Sequence, residues 1–554
     1  MMRFMVGLVL LAVPLVPAAG QDRGTVVTGK RGMVVCVSPE AADVGVAILK
    51  QGGNAVDAAV AIALAEAVAY PAAGNIGGGG FMLVYPPGGD PTVIEYRETA
   101  PAAVNRGTFA KTTDWHDHKA VGIPGTLRGL EMAHKKFGKL PWKDLVAPAI
   151  RLASEGFALD APMAKSLNEV MKKAKNDEFR RLFGKDGGKT PWKAGDRLVQ
   201  KDLARTLQRI ANNGPGGFYS GELAELLVAE MQAGGGFVTK EDLSAYQAKE
   251  RKPTHGLYRG YDVYGPPPPS SGGIGLVEML NILETFDLRK MGAGSAESRH
   301  VMAEAMRRAF VDRAKYLGDP DFARVPGFLM DKEYAKKLAA TIDLARATPS
   351  ASLADGITLS NEGGNTTHFS IIDAAGMAVS NTYTLEDSYG SRVAVRGAGY
   401  ILNNEMGDFN ARPGVTTATG RIGTEPNLVA PGKRMLSSQT PTIIAKGGKP
   451  LLVTGSPGGR TIINTVACVV TNVIDFEMDI QAAVDGPRQH HQWYPDELKL
   501  ESKDVEVRAK LASLGHKVGS EPTQGDAHSI WIDPKTGVYH GAADKRINGK
   551  AAGY

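Results

Sequence analysis

Thr366 combines a residue type and a sequence context that would support covalent chemistry. It follows the polar residues 363–365, Gly-Gly-Asn, and it opens an apolar segment typical of a strand. A threonine hydroxyl is a weak nucleophile, but an N-terminal threonine carries its own base, an α-amino group with a pKa of about 8. Cleavage of the chain before Thr366 would create that arrangement. Because threonine often opens a strand for structural reasons alone, the spacing by itself leaves both interpretations open.

Other nucleophile and cofactor signatures are missing from the sequence. There is no Gly-x-Ser-x-Gly nucleophile elbow. Residues 184–190 fall one residue short of the phosphate-binding loop pattern, and the histidines at 116, 118, 490 and 491 lack zinc-protease spacing. Cys36 and Cys468 lie in apolar stretches that predict buried thiols, with one disulfide between them as the alternative. We therefore expect neither a metal nor a cofactor.

The composition indicates a folded protein with many tight turns. The chain has 554 residues, of which 43% are apolar and 22% are charged, and these values exclude disorder of the whole chain. Its 67 glycines exceed the usual share of about 7%. The formal net charge is +5 without a basic run, so the sequence predicts no nucleic-acid partner.

Elements on both sides of Thr366 must position it. Residues 33–37 predict a strand, Ser38 is a candidate cap for the next helix, and Asn54 is a candidate cap for an apolar helix that ends before Pro71. Residues 77–80, four glycines, lead into a strand at 81–85, and residues 125–350 are mostly helical. After residue 365 the pattern changes to strands, with hairpins at 368–382 and 440–454 and then a helix at 461–474.

The N-terminus has the pattern of a secretory signal. Arg3 precedes an apolar run at 4–16, and small residues follow up to Gln21. Cleavage after Ala19 or Gly20 is expected, with an uncleaved anchor as the alternative. No other stretch is long and apolar enough for a membrane span. The sequence therefore predicts a secreted or periplasmic protein without a membrane span after signal removal.

Motifs along the chain resemble those of the γ-glutamyltransferases, also called γ-glutamyl transpeptidases. The segment around Thr366, NTTHFS at 365–370, is similar to the processing site of that family. The other matching motifs occur in family order, from about residue 30 to the last residue: GGNAVDAA at 52–59, GNIGGGGF at 74–81, YRETAP at 96–101, VGIPGT at 121–126, PPPSSGG at 267–273, YLGDP at 316–320, TYTL at 382–385, LNNEMGDF at 402–409, LSS at 436–438, GSPGG at 455–459, DGPR at 485–488 and HHQW at 490–493.

The resemblance implies an N-terminal-nucleophile hydrolase with an α+β fold, a four-layer αββα sandwich. It implies self-cleavage between Asn365 and Thr366. Residues 1–20 would be the signal peptide, residues 21–365 the large chain and residues 366–554 the small catalytic chain. The two chains would form a heterodimer that is one intertwined catalytic domain.

The resemblance also implies roles for individual residues. Thr366 would be the nucleophile, and Thr384 would orient its amino group. Gly458 and Gly459 would present backbone N–H groups to the oxyanion. The residues implied to contact the donor are Arg97, Ser437 and Ser438 at the α-carboxylate, and Glu386, Glu405 and Asp408 at the α-ammonium group.

The implied activity is transfer of the γ-glutamyl group of glutathione or related γ-glutamyl compounds through an acyl-threonine. The acceptor would be water, an amino acid or a dipeptide, and no cofactor is implied. Two alternatives stay open: a cephalosporin or glutaryl acylase of the same superfamily, and a catalytically silent solute-binding relative. Glu386 stands where many relatives have asparagine, and Glu405 stands where some have glutamine. The lid-like loop at 413–434 has Thr419 where relatives have tyrosine.

Overall fold

The computed structural model describes residues 25–353, 365–520 and 523–554, so the predicted signal peptide at 1–20 and the glycines at 363–364 lie outside the described residues. The described helices are α1 Pro39–Lys50, α2 Ala55–Ala69, α3 Thr126–Phe137, α4 Trp142–Glu155, α5 Ala161–Met171, α6 Asp177–Phe183, α7 Lys201–Asn213, α8 Gly216–Tyr219, α9 Glu222–Gly234, α10 Lys240–Ala245, α11 Gly272–Leu283, α12 Leu288–Met291, α13 Ala296–Tyr316, α14 Lys332–Ala339, α15 Thr461–Ile474, α16 Ile480–Asp485 and α17 Val505–Ser513. None of these described helices has both the length and the hydropathy needed to cross a membrane.

The strands form two large antiparallel sheets and two small ones. They are β1 Val27–Gly29, β2 Gly32–Cys36, β3 Gly79–Tyr85, β4 Thr92–Glu95, β5 Phe157–Ala158, β6 Arg197–Leu198, β7 Lys249–Arg251, β8 Thr254–Tyr258, β9 Tyr261–Gly265, β10 Asn365–Asp373, β11 Ala378–Glu386, β12 Thr442–Lys446, β13 Lys449–Thr454, β14 Gln489–His490, β15 Leu498–Leu500, β16 Val518–Ser520, β17 Ser529–Ile532, β18 Tyr539–Ala542 and β19 Lys550–Gly553. One large sheet has the order β1-β18-β17-β13-β12-β9-β8, and the other has the order β19-β2-β10-β11-β3-β4-β7.

Each large sheet packs against the other sheet on one face and against helices on its other face. In β2, Met33 and Val35 contact the apolar core between the sheets, whereas Val34 and Cys36 belong to the core shared with α1 and α2. This alternation is the expected period of two for a strand buried on both faces. Helices α11, α13 and α15 cover the outer face of the other sheet. The predicted four-layer αββα, α+β fold is confirmed.

Local sequence signals account for the helices beneath the sheet that contains β10. The Ser38 side chain accepts a hydrogen bond from the N–H of Ala41 at the start of α1. Asn54 and Asp57 form a reciprocal capping box at the start of α2. Both N-caps were predicted. The strand expected at 81–85 begins two residues earlier, at Gly79, because Gly79 and Gly80 also pair with β11. Glycine permits this close approach, since a Cβ on Gly80 would lie 2.4 Å from the Thr382 carbonyl oxygen.

The two cysteines lie in different helix-facing cores. Cys36 is buried in the core of α1 and α2, and Cys468 is buried in the core of α11 and α15. Both are free thiols, and burial raises the pKa of each of them. The predicted buried thiols are confirmed, and the disulfide alternative is not formed.

Glu66 is a buried carboxyl beneath the strand that begins at Thr366. It lies on α2, and its Oε2 accepts a hydrogen bond of 3.3 Å from the hydroxyl of Thr367, on the opposite face of β10 from Thr366. Burial raises the pKa of Glu66 to about 8, although hydrogen bonds from Tyr383, Thr367 and Cys36 act to lower it. Glu66 is therefore largely protonated near neutral pH.

We expect Glu66 to make the stability of the protein fall as the pH rises. Because the pKa of Glu66 in the folded chain exceeds the unfolded value of about 4.3, its stabilising contribution is present below pH 4.3 and is lost as the pH rises through about 8. Glu66→Gln should therefore show a smaller drop in Tm between pH 6 and pH 9 than the wild type, as measured by scanning calorimetry. Glu169→Gln, at an exposed carboxylate, is the control, and equal drops in wild type and Glu66→Gln would contradict the prediction.

Candidate active site

The predicted site residues line one cavity of about 220 Å³. They come from β10, β11, the segment after β4 and three loops of the C-terminal part of the chain. The predicted residues in its lining are Arg97, Thr366, Thr384, Glu386, Glu405, Asp408, Ser437, Ser438, Gly458 and Gly459. The structure thus brings together residues separated by up to 362 positions in sequence, from 97 to 459.

Thr366 lies near the start of β10, within a register irregularity between Asn365 and Thr367. Bulges of this kind reorient side chains and are frequent next to active sites. The Thr366 hydroxyl donates to the Thr384 hydroxyl on β11 at 3.4 Å, and Thr384 Oγ1 also accepts from the N–H of Glu386 at 2.8 Å. Thr366 is 5% exposed, so its hydroxyl is held at the base of the cavity.

A buried row of polar side chains continues from Thr366 along the same face of β10. The ring nitrogens of His368 lie 2.8 Å from the Thr382 hydroxyl and 3.1 Å from the Ser370 hydroxyl. Burial keeps the pKa of His368 well below its usual value, so the ring is neutral. A Cβ on Gly455 would lie 2.2 Å from His368 Cε1. His368 therefore packs directly against the loop that carries Gly458.

Gly458 and Gly459 lie in the loop between β13 and α15. Their φ angles are 128° and 56°, which glycine adopts without the steric cost of a side chain. A Cβ on Gly458 would lie 2.5 Å from Thr461 Oγ1. The loop is held by Ser456, whose Oγ accepts from the N–H of Asp526 at 2.9 Å. The glycines immediately precede the N-terminus of α15, where a developing negative charge is favoured.

Arg97 lies within a group of carboxylates that forms one wall of the cavity. Its Nη1 is 2.7 Å from Glu405 Oε2 and 3.4 Å from Glu98 Oε2, and its Nη2 contacts Asp408. Burial acts to lower the pKa of Arg97, but Glu405, Asp408 and Glu98 raise it above the usual value. The guanidinium is 1% exposed and stays charged.

The carboxyl groups of this wall outnumber its guanidinium. Burial raises the pKa of Glu405 well above its usual value, against the lowering effect of Arg97. Burial also raises the pKa of Glu386, and Asp387, Asp408 and Glu405 raise it further. A cation placed among these groups would favour their ionised forms. The wall is thus suited to an ammonium group next to a group that pairs with Arg97.

Ser437 and Ser438 are held by the segment that precedes α11. The Ser437 carbonyl accepts from the Ser271 hydroxyl at 2.7 Å, and the Ser437 N–H donates to the Pro269 carbonyl at 2.8 Å. The Ser438 hydroxyl accepts from Arg313 Nη2 at 3.1 Å. Residues 267–273 therefore hold the serine pair in place, although they lie more than 160 positions away in sequence.

Five polar residues of the cavity lining were not predicted as site residues: Arg313, Gln439, Arg460, Thr461 and Gln492. Three of them adjoin or lie within matching motifs, because Gln439 follows Ser438, Arg460 follows Gly459 and Gln492 belongs to HHQW. Arg460 Nη1 donates to the Gly420 carbonyl at 2.9 Å, so the loop at 413–434 reaches the cavity rim. Thr419 hydrogen-bonds Thr417 within that loop at 2.7 Å.

Two features of Glu386 lower the stability of the fold, its backbone conformation and its buried carboxyl group, and two substitutions separate their effects. Its φ of 81° lies in the left-handed region, which asparagine tolerates better than glutamate, and its carboxyl is buried among other acids. Glu386→Gln removes only the ionisable group, whereas Glu386→Asn also relieves the backbone. We expect Tm to increase from the wild type to Glu386→Gln and again to Glu386→Asn. The difference in unfolding free energy between the two variants, which reports the backbone strain, should be about 1 kcal/mol. Calorimetry on both variants tests this, and a Tm of Asn at or below that of Gln would contradict it.

Comparison with known proteins identifies the family. A sequence model described as gamma-glutamyltranspeptidase matches residues 41–554. The chain belongs to the γ-glutamyltranspeptidase family. Among curated relatives, the glutathione hydrolase proenzyme of Escherichia coli (strain K12) is 46% identical over 95% of this chain and 93% of its own length.

Solved structures agree with this γ-glutamyltranspeptidase assignment. The crystal structure of cephalosporin acylase from Bacillus halodurans superposes with a TM-score of 0.85, at 29% identity, over 99% of both chains. The γ-glutamyltranspeptidase of Helicobacter pylori superposes with a TM-score of 0.55, at 42% identity, over 56% of this chain and 92% of its own. Because an acylase has a similar fold, the substrate has to be inferred from the chemistry of the cavity.

Proposed function

We propose that this protein is a self-processing γ-glutamyltransferase with glutathione hydrolase activity. The observation that carries the proposal is the wall formed by Arg97, Glu386, Glu405 and Asp408, in the same cavity as Thr366. A planar guanidinium matches a carboxylate, and carboxylates match an ammonium group. The free amino-acid end of a γ-glutamyl group presents both of these charges side by side.

Self-processing requires the Thr366 hydroxyl to attack the carbonyl carbon of Asn365. The peptide nitrogen then leaves as the α-amino group of Thr366, and water hydrolyses the resulting ester. The products are a large chain that ends at Asn365 and a small chain that begins at Thr366. Both large sheets contain strands from before and after this bond, so the two chains would stay together as one heterodimeric unit.

In the transfer reaction, the α-amino group of Thr366 takes the hydroxyl proton as Oγ1 attacks the γ-carbonyl carbon of the donor. Thr384, whose Oγ1 lies 3.4 Å from Thr366 Oγ1, orients the α-amino group that acts as the base. The N–H groups of Gly458 and Gly459 stabilise the oxyanion. The protonated α-amino group of Thr366 then returns the proton to the leaving amine of the donor. Water or the amine of an amino acid or dipeptide then attacks the acyl-threonine and releases the γ-glutamyl product.

The proposal also covers the donor substrate and the cellular location of the protein. The donors are glutathione and related γ-glutamyl compounds, with Ser437 and Ser438 assisting Arg97 at the α-carboxylate. The signal at 1–20 directs the chain to the periplasm or the medium. No cofactor takes part in these steps.

A pair of chromogenic anilides distinguishes this function from the alternatives. γ-Glutamyl anilide and glutaryl anilide differ only in the α-ammonium group, which the acidic wall is expected to bind. We expect kcat/KM for the γ-glutamyl compound to exceed that for the glutaryl compound by at least about 10²-fold, which corresponds to about 2.7 kcal/mol. The measurement is absorbance of released aniline with the processed protein.

Other outcomes of this assay would contradict the proposal. Preference for the glutaryl compound would favour the cephalosporin-type acylase, whose fold the chain shares. Cleavage of neither compound by fully processed protein would favour a solute-binding role. Asp408→Asn keeps the shape of the side chain and removes one charge, so it should reduce the preference for the γ-glutamyl compound.

A further inference from the structure

A second cavity lies apart from the active site, and its volume is about 270 Å³. It is formed by the first residues of α1, the end of α2, the first turn of α5 and the chain at Ile547 and Asn548. It shares no lining residue with the cavity of Thr366. The chemistry of this cavity therefore has to be considered separately from that of the active site.

One side of this cavity is apolar and partly aromatic. Phe157 and Met163 are almost fully buried, and Tyr70 is partly exposed beside them. Ala69 and Pro162 add further apolar surface. Such a wall binds the hydrocarbon body of a small molecule, and aromatic rings also attract organic cations through their faces.

The charged groups in the lining all have the same sign. Glu40 and Asp160 are its two charged residues, and no lysine, arginine or histidine belongs to it. Asp160 accepts hydrogen bonds of 2.7 Å from the Met163 N–H and from the Asn548 side chain, and Glu40 accepts one of 3.1 Å from the Ser38 hydroxyl. These partners are neutral, and within the described residues neither carboxylate forms an ion pair, so no cationic side chain balances the two carboxylates, which lie at the N-terminal ends of α1 and α5.

From the apolar wall and the two carboxylates without a cationic partner, we propose that this cavity binds a small organic cation with an apolar body, such as an arylalkyl ammonium compound. The ammonium group lies between Glu40 and Asp160, and the hydrocarbon body contacts Phe157 and Met163. An anion of the same shape is repelled, and a neutral molecule gains only the apolar contact.

Calorimetric titration of the processed protein with trimethyl(2-phenylethyl)ammonium tests the proposal. This probe has no N–H group, so it does not act as an acyl acceptor at Thr366. We expect one binding site, and we expect affinity at least tenfold above that for 3-phenylpropanol and 3-phenylpropionate. Equal affinity for the three compounds, or no binding of the ammonium compound, would overturn the proposal.

Charge-removing variants locate the bound probe. The double variant Glu40→Gln/Asp160→Asn should bind the probe at least tenfold more weakly. Asparagine at 160 retains an N-cap for α5, so the variant should still fold. Asp43→Asn, at an exposed carboxylate on α1, is the matched control and should bind as wild type does. If Asp408→Asn instead abolishes binding and the double variant does not, the probe occupies the active site and the proposal is wrong.

Discussion

Thr366→Ala is expected to stay a single uncleaved chain, of 58.7 kDa less the signal peptide, and to lose transferase activity. The substitution removes the hydroxyl that attacks the Asn365 carbonyl and, later, the donor. Without cleavage there is also no free α-amino group to act as the base. Loss of a covalent nucleophile costs on the order of 10⁴–10⁶ in kcat. Denaturing gels and release of aniline from γ-glutamyl anilide measure the two effects.

Neighbouring substitutions show whether the effect belongs to this hydroxyl. Thr366→Ser keeps a hydroxyl and should be cleaved and active, although more slowly. Thr367→Ser changes the adjacent threonine, whose hydroxyl contacts Glu66 on the other face of β10, and should process as the wild type does. Two bands from Thr366→Ala, or activity within about tenfold of wild type, would show that Thr366 is not the nucleophile.

The hairpin that carries Thr366 and Thr384 follows from local sequence, whereas the role of Thr384 was implied only by the family resemblance. The alternating pattern predicts a hairpin at 368–382, and antiparallel pairing places residues of the two strands opposite each other. The structure extends both strands to Thr366 and Thr384, whose hydroxyls meet across the pair. The caps at Ser38 and Asn54 were predictable for the same reason, because their partners lie within three residues.

No local sequence pattern predicted the wall of the cavity that contains Arg97 and its carboxylates. Arg97 and Asp408 are separated by 311 positions and meet only through the tertiary fold, so the resemblance to a family was needed to place them together. His368 against Gly455, Arg313 on Ser438 and the protonated Glu66 were not predicted. Each depends on packing between separate layers, and neither periodicity nor spacing contains that information.

Arg97→Lys is expected to reduce kcat/KM for the γ-glutamyl donor by about 10²-fold without preventing self-cleavage. Lysine keeps one positive charge among Glu405, Asp408 and Glu98, but it lacks the planar fork that contacts several carboxylates at once. The loss corresponds to about 2.7 kcal/mol of transition-state stabilisation. Because Thr366 and Thr384 are unchanged, gels should still show two chains. Initial rates over a range of donor concentrations measure the change.

Arg97→Met separates the role of this charge in folding from its role in donor binding. Methionine leaves the buried carboxylates without a guanidinium, and removal of one partner from a buried ion pair costs about 3–5 kcal/mol. We therefore expect a lower Tm in Arg97→Met than in Arg97→Lys. Arg251→Lys is the control, because Arg251 pairs with the buried Glu95 at 3.2 Å outside the cavity. If Arg97→Lys and Arg251→Lys reduced kcat/KM equally, Arg97 would act through the fold and not at the donor carboxylate.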